Sequence, residues 1–111
     1  MLKKYIALCG IAAINCKEDT SKDKSDHWAV IVAGSNTYQN YRHQADTCHA
    51  FQIMKKNGIP EDQIIHLSYN DVAKSWHNPL SYRGKLFNKP TKKGVKGVDV
   101  NDGCVVDYEG K

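Results

Sequence analysis

Two short apolar runs, HWAVIVA at 27–33 and QIIHLSY at 63–69, bracket a stretch with helical periodicity, and this arrangement constrains the chain more than any other feature. The first run is nearly continuous and β-branched, and it stops at the turn formers Gly34-Ser35-Asn36. A strand buried on both faces reads this way. In HQADTCHAFQIMKKNG, Ala45, Cys48, Phe51 and Met54 recur three apart; Lys55 and Lys56 then close the last turn ahead of Gly58. Cations in the last turn and a glycine just beyond it end helices. After a turn at Pro60-Glu61-Asp62 the second apolar run ends at Asn70-Asp71. The order is β-α-β, which implies a parallel strand pair with a right-handed crossover.

Parallel sheets ordinarily carry helices on both faces, and one helix covers one face. Beyond Asp71 the periodicity fades into a stretch punctuated by Asn78-Pro79, Gly84, Pro90, Gly94, Gly97 and Gly103, read as loop with hairpins at LSYRGKLF and VDVNDGCVV and a turn-like tail from Asp107. The fold class expected is α/β, the start of a mostly parallel sheet that is incomplete in this chain. Ligand sites of open α/β sheets lie beyond the C-terminal ends of the strands. That edge is occupied by Gly34-Ser35-Asn36, Tyr69-Asn70-Asp71 and the loop SNTYQNYRHQAD.

The N-terminus has a different character. Lys3 and Lys4 precede an apolar stretch from Tyr5 to Ile14, and the charged segment KEDTSKDKSD follows, the layout of a secretory signal peptide. Residues 1–16 are assigned to the signal, 17–26 to a polar spacer and 27–111 to the folded part. Cleavage removes Cys9, and Cys16 with a later cut, which leaves Cys48 and Cys104. Two cysteines do not make a disulfide framework, and Cys48, on the apolar helix stripe, reads as a small buried hydrophobe. Neither a CxxC pair nor a His pair at helical ligand spacing is present, so no metal site and no cofactor are expected. No apolar run reaches the roughly 18 residues of a membrane-spanning helix. Between Val72 and Val98 there are seven Lys or Arg residues and no acid. With only Tyr82 and Phe87 interleaved, this reads as a solvated loop and not as a nucleic-acid surface, a polyanion-binding patch being the alternative.

In residues 27–73, AGSN, NYRHQAD, CHA and NGIP occur in order and together. This segment closely resembles the N-terminal part of the legumain family, the secretory asparaginyl endopeptidases; a glycosylphosphatidylinositol transamidase-like peptidase is a weaker match, lacking the AGSN and QAD flanks. The resemblance implies a caspase-like fold and a cysteine nucleophile that cuts polypeptides after asparagine in a lysosome, a vacuole or outside the cell. The family's catalytic histidine and cysteine lie in His-Gly and Glu-Ala-Cys motifs that do not occur here. The chain by itself is therefore expected to be inactive, either as a segment of such a peptidase or as a secreted non-catalytic binding protein. From NYRH the resemblance carries over Asn40, as the residue that orients the catalytic histidine, and Arg42 and His43, as residues lining the pocket for the substrate asparagine. For Arg42 a helix-start ion pair with Asp46 is the competing role, and for His43 capping or packing. Thr37 stands where the family commonly has glycine.

Overall fold

A computed structural model describes residues 26–89 and 97–110. The signal-peptide reading, the spacer up to residue 25, and Lys92, Lys93 and Lys96 lie outside the described residues. Strand β1 (Ala29–Val32), helix α1 (Tyr41–Lys56), strand β2 (Ile64–Ser68) and a short strand β3 (Tyr108–Glu109) follow in that order, with 3-10 turns at Tyr38–Asn40, Glu61–Gln63 and Leu80–Tyr82. The sheet has the order β1-β2-β3 and both pairings are parallel, Val30 opposite Ile65 and Leu67 opposite Tyr108. The expected β-α-β unit is therefore present, and it is the start of a parallel α/β sheet.

Helix α1 forms where the apolar spacing put it. Ala45, Cys48 and Phe51 are buried, and Gly58 takes φ 94°, a left-handed conformation that costs a glycine nothing, just past the helix end. Phe51 packs with Ile31 and Ile64 on the inner face of the sheet. On the other side of the stripe, Ala45 and Cys48 meet Val72, Ala73, Leu86 and Val100. The helix thus lies between the sheet and the segment that follows β2.

Four expectations need correction. Strand β1 is buried on one face only, since Val30 and Val32 are 66% and 58% exposed while Ile31 is buried. The described residues supply one helix, and it lies on the opposite face. LSYRGKLF and VDVNDGCVV do not form hairpins. Instead Leu80–Tyr82 is a 3-10 turn, and a single antiparallel bridge joins Phe87 to Asp99. The stretch is held by side chains bonding to main chain: buried Asn78 donates through Nδ2 to the carbonyls of Ala73, Tyr82 and Lys85, and Asp99 Oδ1 accepts from the amides of Leu86 and Asn101. Such bonds offer the backbone an alternative to a ladder. The tail expected to be turn-like pairs with β2, helped by Asp107 N–H donating to His66 O and Gly110 N–H to Ser68 O.

The cysteines are the fourth correction. Cys48 is buried as expected, but it is bonded to Cys104, with Cα atoms 5.4 Å apart, within the span a disulfide bridges. The bond ties α1 to the segment that leads into β3.

Candidate functional site

The parallel arrangement brings the C-terminal ends of β1 and β2 to one edge, and the loops that leave them meet there. From β1 the chain runs through Ser35, Asn36 and Thr37 into the 3-10 turn Tyr38–Asn40 and then directly into α1. Asn40 is held twice by this loop. Its amide N–H donates to Thr37 O at 3.0 Å, and its side-chain Nδ2 donates to Asn36 O at 2.8 Å. The second bond fixes which way the carboxamide faces, because a carbonyl only accepts. Among the described residues, Asn40 Oδ1 accepts no hydrogen bond, so an acceptor oxygen is presented from the start of the helix.

The loops of the two strands are stapled together by Asp71. Its Oδ2 accepts from Thr37 N at 2.8 Å and its Oδ1 from Gln44 Nε2 at 2.5 Å. Gln44 is 3% exposed, and its Oε1 in turn accepts from Val72 N at 3.2 Å. Thr37 itself sits at φ 72° and ψ 156°, a region populated almost only by glycine. The glycine-like position noted in the sequence is thus a position of real backbone strain.

Arg42 and His43 leave the helix in different directions, as neighbours about 100° apart on a helix must. His43 Nδ1 shares a 2.6 Å hydrogen bond with Ser35 Oγ, which joins the AGSN and NYRH segments at the sheet edge beside Asn40. Arg42 is exposed on the wall of a cleft of about 500 Å³ with Tyr41, Asp46, Tyr82, Phe87 and Asn88. The ion pair among the described residues is Lys55–Glu61; Arg42 and Asp46 share the cleft wall without forming one. Tyr41 also lines the cleft, its hydroxyl accepting from Phe87 N at 2.7 Å. Burial raises the Tyr41 phenol above its ordinary range, an effect that the Phe87 amide partly offsets. A second cleft of about 550 Å³ opens over Thr37, Tyr38, Asp71, Trp76 and His77.

Sequence reasoning placed Asp71 and Gln44 at the ligand edge of the sheet but gave neither a role. For Gln44 a signal existed: a long polar side chain next to Ala45, at the edge of the buried stripe, requires partners for both ends of its amide. One further cluster could be taken for a metal centre, the ligand atoms of Cys48, His66 and Cys104 lying within 4.8 Å of one another. Both sulfurs are engaged in the disulfide, and His66 Nδ1 donates to Val105 O at 2.9 Å, so the cluster as it stands offers no thiolate pair to hold an ion.

The fold is the opening β-α-β unit of a parallel α/β domain, and the candidate site is a loop-to-helix junction at which an asparagine, an arginine and a histidine stand. The model of the Peptidase C13 family matches residues 27–111. Over 102 residues the chain is 47% identical to legumain of Mus musculus, covering 92% of this chain and 22% of that protein. It is 42% identical over 113 residues to hemoglobinase of Schistosoma mansoni, covering 96% and 25%, and 47% identical over 98 residues to the vacuolar-processing enzyme delta-isozyme of Arabidopsis thaliana, covering 86% and 20%. The chain belongs to the Peptidase C13 family, a family of cysteine peptidases, and spans about a fifth to a quarter of the length of these relatives.

Proposed function

We propose that residues 27–111 form the N-terminal part of a legumain-like cysteine endopeptidase that cuts polypeptides after asparagine in the secretory pathway, in a lysosome or vacuole or outside the cell. The observation that carries this is Asn40, whose NH₂ group is taken up by Asn36 O so that its carbonyl oxygen is available to accept from an imidazole N–H. A histidine held that way keeps its other nitrogen for a cysteine thiol, the arrangement thiol catalysis requires. Arg42 supplies a rigid, always charged donor for the side-chain carbonyl of a substrate asparagine, and His43 borders the same junction. The chain by itself is expected to hydrolyse nothing: Cys48 is bonded to Cys104, and Cys48 and His49 are helix neighbours that diverge.

The test places residues 27–110 into mouse legumain in place of the matching segment and follows cleavage of an asparagine-containing fluorogenic peptide. The chimera is expected to cleave it, with Asn40→Ala lowering kcat. Arg42→Lys, which keeps the charge but loses the planar fork, is expected to lower kcat/KM by on the order of a hundredfold. An inactive chimera, or wild-type kinetics in both variants, overturns the proposal.

A further inference from the structure

We infer that Asp71 is a positioning residue for catalysis, acting through the loop 36–40 to aim Asn40; this rests on the role proposed for Asn40 above. The path is continuous. Asp71 Oδ2 holds the amide of Thr37, and Thr37 O and Asn36 O hold the main-chain and side-chain nitrogens of Asn40. Every link from the carboxylate to the presented carbonyl is a hydrogen bond of 2.8–3.0 Å.

One feature says that this segment requires a clamp, and a second fixes the clamp in place. Thr37 occupies a conformation that a β-branched residue avoids, and such a residue persists only where its surroundings over-determine it. The carboxylate, accepting the Thr37 amide on one oxygen, supplies that constraint. Its other oxygen is anchored to buried Gln44, which also accepts from the next amide along, Val72. The clamp is therefore fixed to the helix and to the β2 loop at once, and the strained turn cannot relax without breaking it. Arg42 and His43 sit on α1, whose place is set by Phe51, Ala45 and Cys48 in the core. Loss of the clamp therefore acts first on the turn that aims Asn40, and less on Arg42, which the core holds in place through α1.

This separation makes the role measurable in the mouse legumain chimera. Asp71→Ala is expected to lower kcat about tenfold or more while KM changes by no more than about twofold. Asp71→Asn, which keeps one acceptor oxygen, is expected to retain an intermediate kcat. In an Asn40→Ala background, Asp71→Ala is expected to have little further effect on kcat, because two residues acting as one unit are not additive. Where Asp71→Ala does not fold, Asp71→Asn takes its place in the same cycle. Wild-type kcat in the Asp71 variants, or a loss that adds in full to that of Asn40→Ala, overturns the positioning role. Wild-type kcat in Asn40→Ala alone overturns instead the role proposed for Asn40, so the two failures are told apart.

Discussion

At the residue scale, Thr37 carries a cost that a single substitution removes. Its φ of 72° and ψ of 156° are worth on the order of 1–3 kcal/mol of strain, and glycine relieves it while giving back about 0.5–1 kcal/mol of unfolded-chain entropy. Thr37→Gly is therefore expected to stabilise the fold by about 1 kcal/mol, a rise of several degrees in Tm for a domain this size. Thermal unfolding followed by circular dichroism reads it, and an unchanged or lower Tm contradicts the strain argument. Tyr41 offers a second test through pH. Its raised phenol pKa means the folded state holds the proton more tightly than the unfolded chain, where tyrosine titrates near 10. The corresponding stabilisation is complete below about pH 10 and is lost as pH rises beyond it. Tyr41→Phe should flatten the alkaline limb of the stability curve, and should cost about 1 kcal/mol at neutral pH because the Phe87 amide loses its acceptor. A limb as steep as the parent's would contradict this assignment.

At the scale of elements, the disulfide between α1 and the approach to β3 does what apolar packing does elsewhere. Its cysteines are 56 residues apart, and closing a loop of that length restricts the unfolded chain by about 4 kcal/mol in the chain-entropy model. Cys104→Ser is expected to lower the urea midpoint accordingly, and β3 should be the first element to lose protection. The strands β1 and β2 and helix α1 were legible in the sequence because their signal is local: apolar residues at a fixed period, ended by Gly58 or by Gly34-Ser35-Asn36. Strand β3 was not, because its two residues are exposed and it is held by main-chain bonds that leave no apolar pattern. The coil after β2 was misread for a related reason: Asn78 and Asp99 bind carbonyls and amides, and nothing in an asparagine's neighbours announces which carbonyls it will meet. The candidate site divides in the same way. Asn40, Arg42 and His43 stand in one contiguous motif, whereas Asp71 meets Thr37 across 34 positions and Gln44 across 27. The pairing of Cys48 with Cys104 is likewise a fact of the folded chain.

For the molecule as a whole, the sheet has one covered face and one apolar face turned outward. Val30 and Val32 are exposed, Ile65 and Leu67 opposite them are half-buried, and Tyr108 extends the surface beyond Leu67. Parallel sheets ordinarily bury both faces under helices, and among the described residues this surface carries none. In the 111-residue chain alone it is expected to drive self-association. Sedimentation should show oligomers at micromolar concentration, and Val30→Thr with Val32→Thr should shift them toward monomer. A monodisperse monomer in the parent chain would contradict this.

Strand β1 has an outer side as well as an outer face, and the register determines what it presents. Ala33 N–H donates to Leu67 O; with a period of two, Ile31 donates to β2 likewise, and the amides of Val30 and Val32 point away from it. Deuterium should therefore enter the strand in alternation, rapidly at Val30 and Val32 and slowly at Ile31 and Ala33. A strand that docks in register along this edge would erase the alternation, so the exchange pattern of four consecutive amides reports whether the edge is occupied.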